Sequence, residues 1–174
     1  DVGYNDEVSG SLFAYTDARL NLNYRRAFSD VNTGLLTLTG RQYDSAATLD
    51  DITGVGLLAG FQHRFSEQMQ VTAMIGLEDI NLSGVLLDPK VVGEVTLIRD
   101  LDTIRMFARY KRSVNASGAG RLTVRDLINL NFRRRLSEKI TAGLGIRAYQ
   151  SARASATTST DDRQYVQLQS TFLW

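Results

Sequence analysis

Residues 165 to 174 alternate in side-chain character and stop on an aromatic. Val166, Leu168, Phe172 and Trp174 fall on one side with the small Ser170 among them, and Gln167, Gln169 and Thr171 fall on the other. A two-residue period belongs to a β-strand, because successive side chains leave opposite faces. Ten residues is also about the length at which a tilted strand crosses a bilayer.

Nine further stretches carry the same period. The alternation predicts strands at 4 to 15, 18 to 28, 34 to 43, 53 to 65, 69 to 80, 91 to 99, 103 to 113, 121 to 136 and 139 to 150, with 164 to 174 as the tenth. Apolar faces read Leu20, Leu22, Tyr24; Val55, Leu57, Ala59, Phe61; Val71, Ala73, Ile75, Leu77; and onward through Ile104 to Tyr110, Leu122 to Phe132 and Ile140 to Ile146. The opposite faces are built from arginine, asparagine, glutamine and threonine. Strands of about 11 to 15 residues exceed the five or six usual in soluble sheets. Period alone does not say which face looks inward, and a soluble barrel or sandwich with its apolar face inside is the competing arrangement.

The longest uninterrupted apolar runs are a few residues, too short for a spanning helix. A membrane-embedded chain of this kind must then be a closed barrel, since every backbone polar group in hydrocarbon needs a partner. The 174 residues show no composition shift, so one domain is expected over 1 to 174, alone or as part of a larger barrel. Lys and Arg total 20 against 19 Asp and Glu, which argues against a nucleic-acid surface. Without cysteine there is neither a disulfide framework nor a thiolate metal site. The first residue is Asp1, and either a signal peptide or an upstream segment is expected ahead of it.

A repeat marks one end of the hairpins. Arg26-Ala27-Phe28-Ser29-Asp30, Arg64-Phe65-Ser66-Glu67, Arg99-Asp100-Leu101-Asp102 and Arg135-Leu136-Ser137-Glu138 recur about every 36 residues, the length of two strands with their turns. Connections at the other end, 44 to 51, 83 to 90, 114 to 120 and 152 to 162, are longer and more polar. Thr16-Asp17 is read as a tight turn on that side. Phe28, Phe61, Phe65, Phe132, Phe172 and Trp174 lie on apolar faces near the short-turn end, as an interfacial aromatic girdle would. Tyr110 is the clearest aromatic at the other end. Asp126 interrupts an apolar face close to the long loops, where a lipid-side charge costs least.

These features resemble bacterial outer-membrane β-barrels, whose last strand commonly ends on Phe or Trp. The resemblance implies an all-β, antiparallel up-and-down transmembrane barrel of about ten strands in the bacterial outer membrane. Both termini would be periplasmic, outer-membrane lipid would lie around the barrel, and the C-terminal strand would engage the barrel assembly machinery.

Few residues suggest chemistry. His63 is the single histidine and steps with Phe61 and Phe65 on the apolar side, where an interfacial role outweighs a general base. Glu78-Asp79, Asp50-Asp51 and Asp161-Asp162 are paired carboxylates without the spacing of a calcium loop. Gly54-Val55-Gly56 with Gly60 lacks the dinucleotide spacing and a following helix. No nucleophile elbow is present, so neither an enzyme nor a cofactor is expected.

The polar faces carry the strongest signal. Arg19, Arg25, Arg64, Arg105, Arg109, Arg125, Arg133 and Arg147 share them, with Glu78 and Glu94 as the clearest counter-charges. Arginine keeps its charge in a protein, so each must be paired or hydrated. Two readings stay open: a lumen plugged by ion pairs, and a positively lined aqueous path for anionic solutes or polysaccharide. Residues 111 to 150 add a Ser-rich strand end, the Asn115 to Gly120 loop, Asp126 and the Arg134-Arg135-Leu136-Ser137-Glu138 turn. This stretch resembles a family of outer-membrane β-barrel porins found with exopolysaccharide secretion systems. The resemblance covers about a quarter of the chain and implies a channel or docking barrel that works with periplasmic envelope-complex proteins. A plugged structural or adhesive barrel, and a surface protease or lipid-modifying barrel enzyme, are the alternatives.

Overall fold

Runs rich in Leu, Val, Ile, Thr and Tyr at period two suit a pleated ribbon with two unlike faces. In the computed structural model they form nine long strands of one antiparallel sheet. The structure describes residues 2–3, 15–45, 52–82, 85–86, 88–116, 122–153 and 163–173. The order is β1 (Val2–Gly3), β2 (Tyr15–Ala27), β3 (Asn32–Ser45), β4 (Ile52–Ser66), β5 (Met69–Leu82), β6 (Val85–Leu86), β7 (Lys90–Asp100), β8 (Ile104–Ala116), β9 (Leu122–Arg135), β10 (Thr141–Arg153) and β11 (Arg163–Leu173). Each long strand pairs with its neighbours in sequence, and β6 is a two-residue ribbon on β5. Among the described residues there is no helix.

Nine of the ten expected strands stand within a few residues of their predicted limits. The first, 4 to 15, lies outside the described residues apart from Tyr15, which belongs to β2. The tight turn expected at Thr16-Asp17 is not there. Both are strand residues, Thr16 opposite Asp44 and Asp17 opposite Tyr43, while Gly3 pairs with Asp17 on the other edge. A two-residue reversal needs positive φ at its centre, which Asn-Gly supplies and β-branched Thr resists. The sheet is also open: β11 pairs with β10 alone, and no pairing joins it to β1 or β2 among the described residues.

The repeat resolves into four short turns, three of them capped by a serine. The hydroxyl of Ser29 accepts the Asn32 N–H (3.1 Å), that of Ser66 the Gln68 N–H (3.3 Å) and that of Ser137 the Ile140 N–H (3.1 Å). Three of the four turns are tied to the strand beyond them. The carbonyls of Val31, Gln68 and Thr103 accept from the backbone N–H of Arg64, Asp100 and Arg135, each at 2.8 Å.

Two unlike faces result. One carries exposed apolar side chains across the sheet, among them Leu22, Leu57, Ile75 and Leu168, the last 71% exposed. The other is polar and concave. Arg41 on β3 reaches the Val114 carbonyl on β8 at 2.9 Å, whereas four strand spacings along a flat sheet would put ~19 Å between them. Two glycines on β4 and β5 permit the curl. A Cβ on Gly60 would stand 2.1 Å from the Ala73 carbonyl oxygen, and one on Gly76 2.0 Å from that of Leu57.

At the long-loop end β8 parts from β7, Gly93–Arg112 being their last pair. The freed edge turns onto the concave face. There Val114 packs with Tyr43, Ile52, Ile80 and Val92, all at most 5% exposed, and Leu58 and Val124 flank them. This cluster is the dry core of the described molecule.

Candidate functional site

The eight predicted arginines, Glu78 and Glu94 all occupy polar-face positions, as the ladder registers require. Along one row Glu94 stands opposite Lys111; along the next Thr96, Arg109, Asn129, Arg147 and Gln167 succeed one another. Further toward the short turns, Asp100, Arg105, Arg133 and Gly143 line up.

The structure brings some of these groups together. Arg109 Nη2 donates to Glu94 Oε2 at 2.6 Å, and Thr96 donates to the other oxygen of that carboxylate at 3.2 Å. Arg105 meets Asp100 at 3.5 Å, and Arg25 donates to Gln62 at 2.7 Å. The Arg125 guanidinium lies 5.0 Å from the centre of the Tyr149 ring, a cation–π distance. Arg64, Arg133 and Arg147 are exposed on the same face.

The densest charge lies where the face is most enclosed. Arg19 and Arg41 are direct cross-strand partners, a like-charge pairing that is unfavourable by itself. Glu78 on β5 offsets it, with Arg41 Nη1 3.8 Å from its carboxylate and both side chains nearly buried. Arg19 and Lys111 also lie within electrostatic reach of Glu78. These residues border a cavity of about 290 Å3 beneath the Val114 cluster, together with Asn21, Thr39, Glu94 and Ser113.

Arg41 and Lys111 were not singled out from sequence, although Thr37, Thr39 and Arg41 alternate in step with the polar positions. The apolar cluster was missed as well. Its signal is phase: Tyr43, Ile52, Ile80 and Val92 fall where the period calls for polar side chains.

On the outer face Phe28, Phe61, Phe65, Phe132 and Phe172 are exposed and share the short-turn half; Trp174 lies outside the described residues. His63 stands among them, 2.7 Å from Asn32 Oδ1 and edge-on to the Phe65 ring. Asp126 does interrupt the apolar face, with partners the sequence did not indicate: the Tyr110 hydroxyl donates to it at 2.7 Å and Arg112 lies at 3.4 Å. Of the paired carboxylates, Glu78 and Asp79 point to opposite faces of β5, and the other two pairs lie outside the described residues. No group of three His, Cys, Asp or Glu side chains converges as a metal site among the described residues. No protein-family model matches this chain, and no curated protein or solved structure is significantly similar to it.

Proposed function

We propose that the chain forms the wall of a bacterial outer-membrane β-barrel whose arginine-lined interior conducts small anionic solutes. The observation that carries this reading is the exposed apolar face running across all nine strands. Burying one such side chain is worth about 1.5–3 kcal/mol, and the face presents many. Left in water, it would forfeit more than the roughly 5–15 kcal/mol that separates folded from unfolded proteins. Hydrocarbon is the cover that suits a surface so continuous, bounded by short capped turns with phenylalanines at one end and by Tyr110, Arg112 and Asp126 at the other.

Membrane placement also sets a demand on the two open edges. Unpaired strand edges are not tolerated in lipid, so β11 and the length of β2 beyond its two-residue pairing with β1 must find partners, either from each other or from further strands of the barrel. The polar face supplies the chemistry for conduction, because eight arginines outnumber the acids they face and their exposed members are hydrated. A role beside exopolysaccharide export, as the sequence resemblance implies, is consistent with that excess of positive charge.

One observation favours a second reading. The Tyr43, Ile52, Ile80, Val92 and Val114 cluster seals the concave face at the loop end, as a plugged structural barrel would be sealed. Planar-bilayer recordings separate the two. Anion-selective steps support the channel, and silence at every voltage leaves the plugged barrel. A chain that folds as a monomer in plain buffer without detergent overturns both.

A further inference from the structure

Among the cations that line the cavity under the Val114 cluster is Lys111, which closes no ion pair among the described residues. Lys111 stands directly opposite Glu94 in the ladder, the position from which a cross-strand ion pair would form. That carboxylate is already taken by Arg109 at 2.6 Å and by the Thr96 hydroxyl. The other acid on the cavity wall, Glu78, is shared between Arg41 and the fields of Arg19 and Lys111. Among the described residues Lys111 makes no hydrogen bond and closes no ion pair. A half-buried ammonium beside a water-sized space attracts an anion, and the enclosing walls concentrate its field.

We propose that this cavity is a binding site for a small hydroxylated carboxylate, with Lys111 as its principal anion contact. The volume, about 290 Å3, lies at the lower edge of the ~300–1,000 Å3 usual for ligand pockets. A space of that size suits a solute of about one sugar unit. Carboxylate recognition comes from Lys111 with Arg19 and Arg41 behind it. Hydroxyl recognition comes from the acceptors opposite, Glu78 and Glu94, and from the polar side chains of Asn21 and Thr39. A purely cationic pocket would select any oxyanion, whereas cations facing carboxylates select an anion that also carries donors. The site rests on the reading that the polar face is hydrated, and it names where and on what an anionic solute is held.

The test is calorimetric titration of the chain, folded in detergent micelles, with glucuronate, glucose and inorganic phosphate. Glucuronate is expected to bind in the millimolar range, with glucose giving no heat and phosphate binding more weakly. Lys111→Gln should weaken glucuronate about fivefold, the effect of removing one partly exposed charge. Lys111→Arg should restore it, and Lys139→Gln, in the exposed short turn between β9 and β10 and away from the cavity, should leave it unchanged. The proposal is overturned if glucuronate gives no heat, if Lys111→Gln binds it as the parent does, or if Lys139→Gln weakens it equally. Phosphate or glucose binding as well as glucuronate also overturns it. Failure here is distinguishable from failure of the channel reading: silence in a planar bilayer removes conduction while leaving the calorimetry intact, and anion-selective steps without glucuronate binding do the reverse.

Discussion

The Arg41 guanidinium holds the main-chain carbonyl of Val114 at 2.9 Å although three strands separate β3 from β8 along the sheet. This bond pins the freed edge of β8 over the concave face. It also keeps Arg41 beside Glu78, so one side chain serves both the closure and the charge balance. Arg41→Met keeps the length of the side chain and removes the donors. It should destabilise the fold by about 1.5–3 kcal/mol, the range for a hydrogen bond from a charged group, read as a lower urea midpoint with the slope unchanged. If the bond closes the path, single-channel conductance should rise in the same variant.

The cluster beside Arg41 should behave as a packed core despite its position inside a polar concavity. Ile80 is 2% exposed, and Ile80→Ala should cost about 2–5 kcal/mol, the transfer term plus the cavity left behind. Leu144, 52% exposed on the outer face, offers the contrast. In detergent micelles Leu144→Ala should shift the urea midpoint by much less, because lipid or detergent refills the space. Equal losses at the two positions would mean that both are packed against protein.

Strand positions were legible in the sequence because side-chain polarity writes the period directly, and β9 at Leu122–Arg135 lies within the stretch predicted at 121 to 136. Thr16-Asp17 was misread for want of a second signal; polarity does not distinguish a turn from a strand that continues. The turn repeat was visible as an arginine followed within a few residues by an acid, with serine before the acid in three of the four copies, but the Ser29, Ser66 and Ser137 hydroxyls as caps appear only once the N–H groups are placed. Least legible was anything depending on curvature. Alternation is one-dimensional and puts Arg41 and Val114 on different strands with no measure of the distance between them, so neither the seal nor the cavity beside Lys111 follows from it.

Curvature itself should depend on two glycines more than on their neighbours. A Cβ on Gly76 would meet the Leu57 oxygen at 2.0 Å and the Leu58 Cα at 2.6 Å, both backbone atoms that cannot rotate away. Gly76→Ala should therefore separate β4 from β5 locally and cost at least about 1–3 kcal/mol, as overpacking does. At Gly40 the nearest atom to a new Cβ is the Leu20 Cβ at 3.8 Å, an ordinary contact. Gly40→Ala should leave the urea midpoint unchanged or slightly raised. Hydrogen exchange on the β4 and β5 amides checks the location of the damage: faster exchange in Gly76→Ala and not in Gly40→Ala ties the loss to the curl.

The orientation of the whole sheet is decided by charges placed on its outer face. Ile75 lies mid-strand on β5 and is 67% exposed, while Leu136 lies in a short turn and is 56% exposed. In water both positions would accept arginine at little cost, since neither side chain is buried. In a bilayer they diverge: an arginine facing lipid at the midplane costs about 2–4 kcal/mol and one at the interface about 0–1. Reversible unfolding from lipid vesicles should show Ile75→Arg well below the parent and Leu136→Arg close to it. Matching stabilities for the two variants would mean that the apolar face does not look into hydrocarbon. The arginines opposite it would then lose their claim to line a water-filled path.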